Sequence, residues 1–78
     1  MDMATQPALL SAQLNSSNLA SASYDVWSGT LTIEFHSRTV FAYYNVPPEI
    51  YDGLIAATSP GRFHHAQIKN QFHYRRLL

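Results

Sequence analysis

Two groups of side chains in this sequence could do chemistry beyond packing: the aromatics Phe41, Tyr43 and Tyr44, and the cations Arg62, Lys69, Arg75 and Arg76 of the last third. Unpaired bases stack on aromatic rings at about 1–3 kcal/mol per base, and a cationic groove beside them follows phosphates with little sequence preference. The pairing of types points to RNA or another single-stranded nucleic acid as partner. The same rings would also fill the space between a sheet and its helices, and the same cations would suit a solvated helix face ending in a frayed tail. From residue 53 to residue 78 there is no Asp or Glu, so a chain of zero formal net charge ends in a basic piece.

Other constellations carry less. Gly61-Arg62-Phe63 stands at a helix start, where free backbone N–H groups and the helix dipole favour an anion. It lacks the repeated glycines of a phosphate-binding loop, and an ordinary capped helix start explains it as well. His64, His65, His73 and His36 invite a metal, but neither His64 nor His65 has a His or carboxylate four residues away to share its helix face. The expectation is no metal and no cofactor, with His65 half-buried on a helix stripe and His64 exposed. The serines sit at turns and caps and the five acids are scattered, so no nucleophile–base pair or carboxylate pair is apparent. A ribonuclease-like grouping of His64, Arg62 and Tyr74 is the one enzymatic alternative; the expectation is a non-catalytic module.

These residues must be positioned by a small fold. Seventy-eight residues make one domain, which buries only about 60% of the surface its unfolded chain exposes. The absence of cysteine removes disulfides, thiolate catalysis and cysteine-ligated zinc. No apolar run approaches the roughly 20 residues of a spanning helix, and Asp2 stands where a secretory signal would be positive. A cytoplasmic location without membrane contact is expected.

The alternation of Ala20, Ala22, Tyr24 and Val26 against Ser21, Ser23 and Asp25 predicts a half-buried strand, and Ser28-Gly29 a hairpin turn. Residues 30–36 give a second strand with Leu31, Ile33 and Phe35 on one face. After a turn at Ser37-Arg38, residues 39–44 give a third, whose inward face is either Phe41 and Tyr43 or Val40, Ala42 and Tyr44. Pro47-Pro48-Glu49 opens a helix to about Ala57 with Ile50, Leu54 and Ala57 as its apolar stripe, flanked by Tyr51 and Ile55 and weakened by Gly53. Ser59-Pro60 caps a second helix over residues 61–72, with His65, Ile68 and Phe72 as its stripe and Lys69 at the stripe's edge. The predicted fold is α+β: a three-stranded antiparallel β-meander followed by two helices packed on the sheet. Residues 1–15 are expected to form a flexible N-terminal arm and residues 16–78 the domain.

The order of residues resembles the KTSC family, a short domain named for its occurrence at the C-terminus of some lysyl-tRNA synthetases and common as a stand-alone bacterial protein. The resemblance is carried by Ser16-Ser17-Asn18, Tyr24-Asp25, Leu31, Phe35, Phe41-Ala42-Tyr43 and Val46-Pro47. It continues through Tyr51, Leu54, Ala57, Ser59, Gly61-Arg62-Phe63, Ile68-Lys69 and Phe72-His73-Tyr74. The family's Tyr-x-Tyr reads Phe41-Ala42-Tyr43, which keeps a ring for stacking and drops a hydroxyl. Pro60 stands where members often carry a basic residue, which weakens a phosphate-contact reading of that turn. The resemblance implies a fold, and through the synthetase context it suggests RNA binding. The alternative is a protein-interaction or homo-oligomeric module, for example a phage-type inhibitor or a small-nucleotide scavenger. Ala8-Leu9-Leu10 and Leu77-Leu78 would then serve a partner surface.

Overall fold

The computed structural model describes residues 9–78. Its sheet has five antiparallel strands in the order β1-β2-β3-β4-β5: β1 Leu9–Gln13, β2 Leu19–Asp25, β3 Thr30–Phe35, β4 Val40–Tyr43 and β5 Tyr74–Arg76. The expected meander is its centre, β2 to β4, and the count of three is corrected to five. Both additional strands lie at the edges. Neither Leu-Leu-Ser-Ala-Gln nor Tyr-Arg-Arg has a buried face to impose an alternation, so each is a strand because a neighbour's free N–H and C=O groups pair with it. Of the flexible arm expected over residues 1–15, residues 1–8 lie outside the described residues, and Leu9–Gln13 pair with β2. The tail from Tyr74 is likewise a paired strand, and Val40 is bonded on to Leu77 and Leu78 beyond it.

Register explains which side chains turn inward. The β2–β3 pairing jumps from Leu19↔Phe35 to Ser21↔Glu34, which leaves Ala20 as the extra residue of a bulge. Leu19 therefore joins Ala22 and Tyr24 in the core, where strict alternation would have placed Ala20. Val26, also expected inward, is 47% exposed because the hairpin turn begins there. That turn is built by Asp25, whose Oδ1 accepts from the N–H groups of Trp27 and Ser28, and by Gly29 at φ 73°. On β4 the choice of face is resolved: Tyr43 lies opposite Leu31 and Phe41 opposite Ile33, so these two rings share the core face.

Helix α1, Pro48–Ala56, begins with proline in its first turn and Glu49 at its positive end. It buries Tyr51 and Leu54, while Ile50 and Ala57 of the expected stripe are half-buried and the flanking Ile55 is 38% exposed. The Tyr51 ring stacks on Tyr24 at 5.5 Å, and the Tyr24 hydroxyl donates to the Val46 carbonyl at 2.5 Å. Helix α2, Pro60–Phe63, is capped as expected by Ser59, which accepts from the Arg62 N–H. Its continuation departs from expectation. Residues His64–Ile68 form a wide π turn closed by Lys69 N–H donating to the His64 carbonyl at 2.8 Å, and Asn70 at φ 64° stops the helix short of residue 72.

The two histidines take the opposite places to those expected. His64 is buried and His65 exposed, the reverse of the expectation: His64, four residues before Ile68, shares its sheet-facing side, and the wide turn carries His65 further from it. Gly53 is where α1 meets α2: a Cβ there would come within 2.6 Å of the Phe63 ring. Its absence lets the two helices approach. Leu19, Leu31, Ile33, Leu54 and Ile68 form the fully buried centre. Among the described residues no helix is long and apolar enough to cross a membrane.

Candidate functional site

Alternation along β3 and β4 puts Phe35, Phe41 and Tyr43 on the helix side of the sheet, and the β4–β5 register adds Tyr74 opposite Tyr43. The π turn brings His64 onto these rings. The five rings touch in sequence: Phe35 meets Phe41 edge-on at 6.0 Å and His64 at 5.4 Å, Tyr43 meets His64 at 5.8 Å, and Tyr74 lies 5.6 Å from Phe41 and 6.1 Å from Tyr43. Tyr43 and His64 are buried, Phe35 and Phe41 half-buried, and Tyr74 is 56% exposed. Burial thus grades from a closed floor to an open wall.

That wall belongs to a cleft of ≈ 650 Å³, bordered on its polar side by Asn18, Thr39, His65, Lys69 and Asn70. Its volume is in the range of sites that hold a small ligand. Among the described residues no carboxylate lines it, and Lys69 supplies a cation at its rim. At its floor the Tyr43 hydroxyl and His64 Nε2 share a hydrogen bond of 2.9 Å. Burial, with Lys69 and His65 adding like charge, lowers the His64 pKa below its ordinary value, so the imidazole is neutral at pH 7. Burial, assisted by Tyr74, raises the Tyr43 phenol. The pair is accordingly uncharged, and the cleft offers flat rings, neutral polar groups and one ammonium. Among the described residues no group of three or more His, Cys, Asp or Glu could hold a metal ion.

Of the residues singled out from sequence, the structure brings Phe41, Tyr43 and Lys69 to the cleft. Arg76 pairs with Phe41 and so lies on the same side of the sheet, its Nε donating to the Leu78 carbonyl; Arg75 pairs with Ala42 and falls on the opposite side. Tyr44 leaves the sheet, its N–H donating to the His73 carbonyl, and does not line the cleft. Arg62 lies on the exposed surface of α2, also outside it. His64 and Tyr74, grouped from sequence only with Arg62 as an enzymatic alternative, do meet here, without Arg62. Phe35, Asn18 and Asn70 were missed as site residues. The one signal for Phe35 was its place at the end of the second strand, on the same face as the third strand's rings.

Comparison with known proteins agrees with this fold. The KTSC domain profile matches residues 15–72. An uncharacterised protein from Stutzerimonas stutzeri is 42% identical over 62 residues, which is 80% of this chain and 86% of that one. A protein from Tsukamurella paurometabola is 39% identical over 59 residues, 76% of this chain and 88% of its own length. A lysine–tRNA ligase from Nostoc sp. is 39% identical over 54 residues; the match takes in 69% of this chain but only 10% of that enzyme. The crystal structure of a KTSC domain protein from Yersinia pestis superimposes with a TM-score of 0.85 at 30% identity, covering 91% of this chain and all of the other. With the profile spanning most of the chain and the whole of a solved relative superimposing on it, this chain belongs to the KTSC domain family.

Proposed function

We propose that this protein is a non-catalytic module that binds single-stranded nucleic acid, RNA in the first instance, in the aromatic cleft. The observation that carries the reading is the convergence of Phe41, Tyr43 and Tyr74 with Lys69 in one cleft that no carboxylate of the described residues lines. Tyr74 presents an exposed ring on which a base can stack, and Lys69 stands at the rim to meet a phosphate. Arg76, on the same side of the sheet, extends the positive potential along β5. That the matching segment also occurs within lysine–tRNA ligases, enzymes that act on a tRNA, favours RNA over DNA.

The test is fluorescence anisotropy of labelled single-stranded RNA and DNA at several salt concentrations. Neutralising Z phosphates on a single strand gives a slope of log affinity against log salt of about −0.7Z, so Lys69 and Arg76 together predict a slope between −1 and −2. Absence of binding at low salt would refute the reading.

A further inference from the structure

We infer that the protein self-associates as a two-fold dimer through the free edge of β1. The two edges of the sheet differ in kind. β5 is three residues long and carries Arg75 and Arg76, the short, charged edge that discourages strand addition. β1 is five residues long and contains no charge and no proline, and all of its residues except Ala12 are exposed. Within these five residues there is no charge, proline or bulge of the kind that ordinarily protects an edge.

The hydrogen-bonding parity and uncharged sequence of β1 make it self-complementary, which is the case for a second copy as the occupant. Leu14 N–H donates to the Ala20 carbonyl, directly across the β1–β2 ladder, so the backbone groups of even-numbered residues point to β2. Those of Leu9, Ser11 and Gln13 therefore point outward. A two-fold axis at Ser11 sets Ser11 against Ser11 and Leu9 against Gln13, which are the outward residues on both strands, and six N–H···O=C bonds form with none left over. On the helix side of the sheet Leu10, 39% exposed, then meets the partner's Ala12, and no like charges face each other. Leu9, Val26 and Trp27, at 60%, 47% and 77% exposure, form an exposed apolar corner beside the same edge. Five residues of edge pairing bury less than the roughly 1,200 Å² of a stable interface, so the dimer is a weak one. No residue of β1 lines the cleft, whose rings come from β3, β4, β5 and the π turn, so dimerisation is independent of nucleic-acid binding.

The experiment is sedimentation equilibrium of the full chain over a concentration series, with Ser11→Lys, Ser11→Glu and their equimolar mixture. The wild type should rise from 8.8 kDa toward twice that mass as concentration approaches about 1 mM. Each variant alone places like charges on the two-fold axis and should weaken association by about fivefold; the mixture, which faces Lys with Glu, should recover it. Circular dichroism establishes that each variant is folded. A wild type that stays at monomer mass throughout overturns the proposal. So do folded variants that associate as well as the wild type, or a mixture that associates no better than its components.

Discussion

The Tyr43 hydroxyl lies 2.9 Å from His64 Nε2, joining the middle of the sheet to the π turn through a buried bond between two uncharged groups. Removing one partner strands the other. Tyr43→Phe is expected to cost about 1–3 kcal/mol, because it leaves the imidazole's Nε2 buried and unpaired. Urea denaturation measures it, and a cost within error of zero would mean that water already serves that nitrogen.

The same pair makes stability depend on pH with a definite sign. The folded-state pKa of His64 is depressed by burial, then by Lys69 and His65, below the ordinary 6.5 that the unfolded chain retains. Below pH 6.5 the unfolded chain binds the extra proton first, so this contribution is fully present above about 6.5 and is lost as pH falls toward the folded pKa. Denaturation midpoints measured from pH 8 to pH 5 should fall more steeply for the wild type than for His64→Gln, whose amide does not titrate. Parallel slopes would assign the pH dependence to other groups.

Gly53→Ala offers a prediction on which helix propensity and packing disagree. Alanine is better than glycine inside a helix by about 1 kcal/mol, so α1 considered alone would gain. The new Cβ would sit 2.6 Å from the Phe63 ring, and overpacking of this kind costs typically about 1–3 kcal/mol. We expect net destabilisation, relieved when Phe63→Leu is added; a thermal midpoint above the wild type's would show that Phe63 yields freely.

Tyr24→Phe keeps the stacked ring on Tyr51 but removes the donor to the Val46 carbonyl. Loss of about 1–2 kcal/mol is expected, since the carbonyl is left buried without its partner. Tyr24→Leu should cost more, as the aromatic pair goes with it.

For the proposed binding site, Tyr74→Ala should weaken RNA affinity by roughly 5- to 150-fold, the range that corresponds to one stacked base. Lys69→Ala should weaken it and flatten the salt dependence, with loss spread evenly over RNA sequences. Arg62→Ala, outside the cleft, is expected to leave affinity within about twofold, the scale of a distant surface charge. Anisotropy titrations decide it: equal losses at Arg62 and Lys69 would argue for diffuse attraction in place of a cleft.

The sequence by itself determined what local chemistry can enforce. Alternation gave the three central strands, Ser28-Gly29 the first turn, and Ser59-Pro60 the start of the second helix, because each depends on residues within a few positions of one another. The ordered pattern from Ser16 onward carried the family, and the aromatic third strand pointed to Phe41 and Tyr43. Tertiary structure decided the rest. Edge strands β1 and β5 show no periodicity, since neither face is buried, and exist only because β2 and β4 offer unpaired backbone. The bulge at Ala20 shifts Leu19 inward by one residue, and in the π turn it is His64 that shares the sheet-facing side with Ile68. Both depend on how a segment packs against partners distant in sequence, as does the cleft itself: Phe35, Tyr43, His64 and Tyr74 are neighbours only once β5 has returned to the sheet and the helices have closed on it.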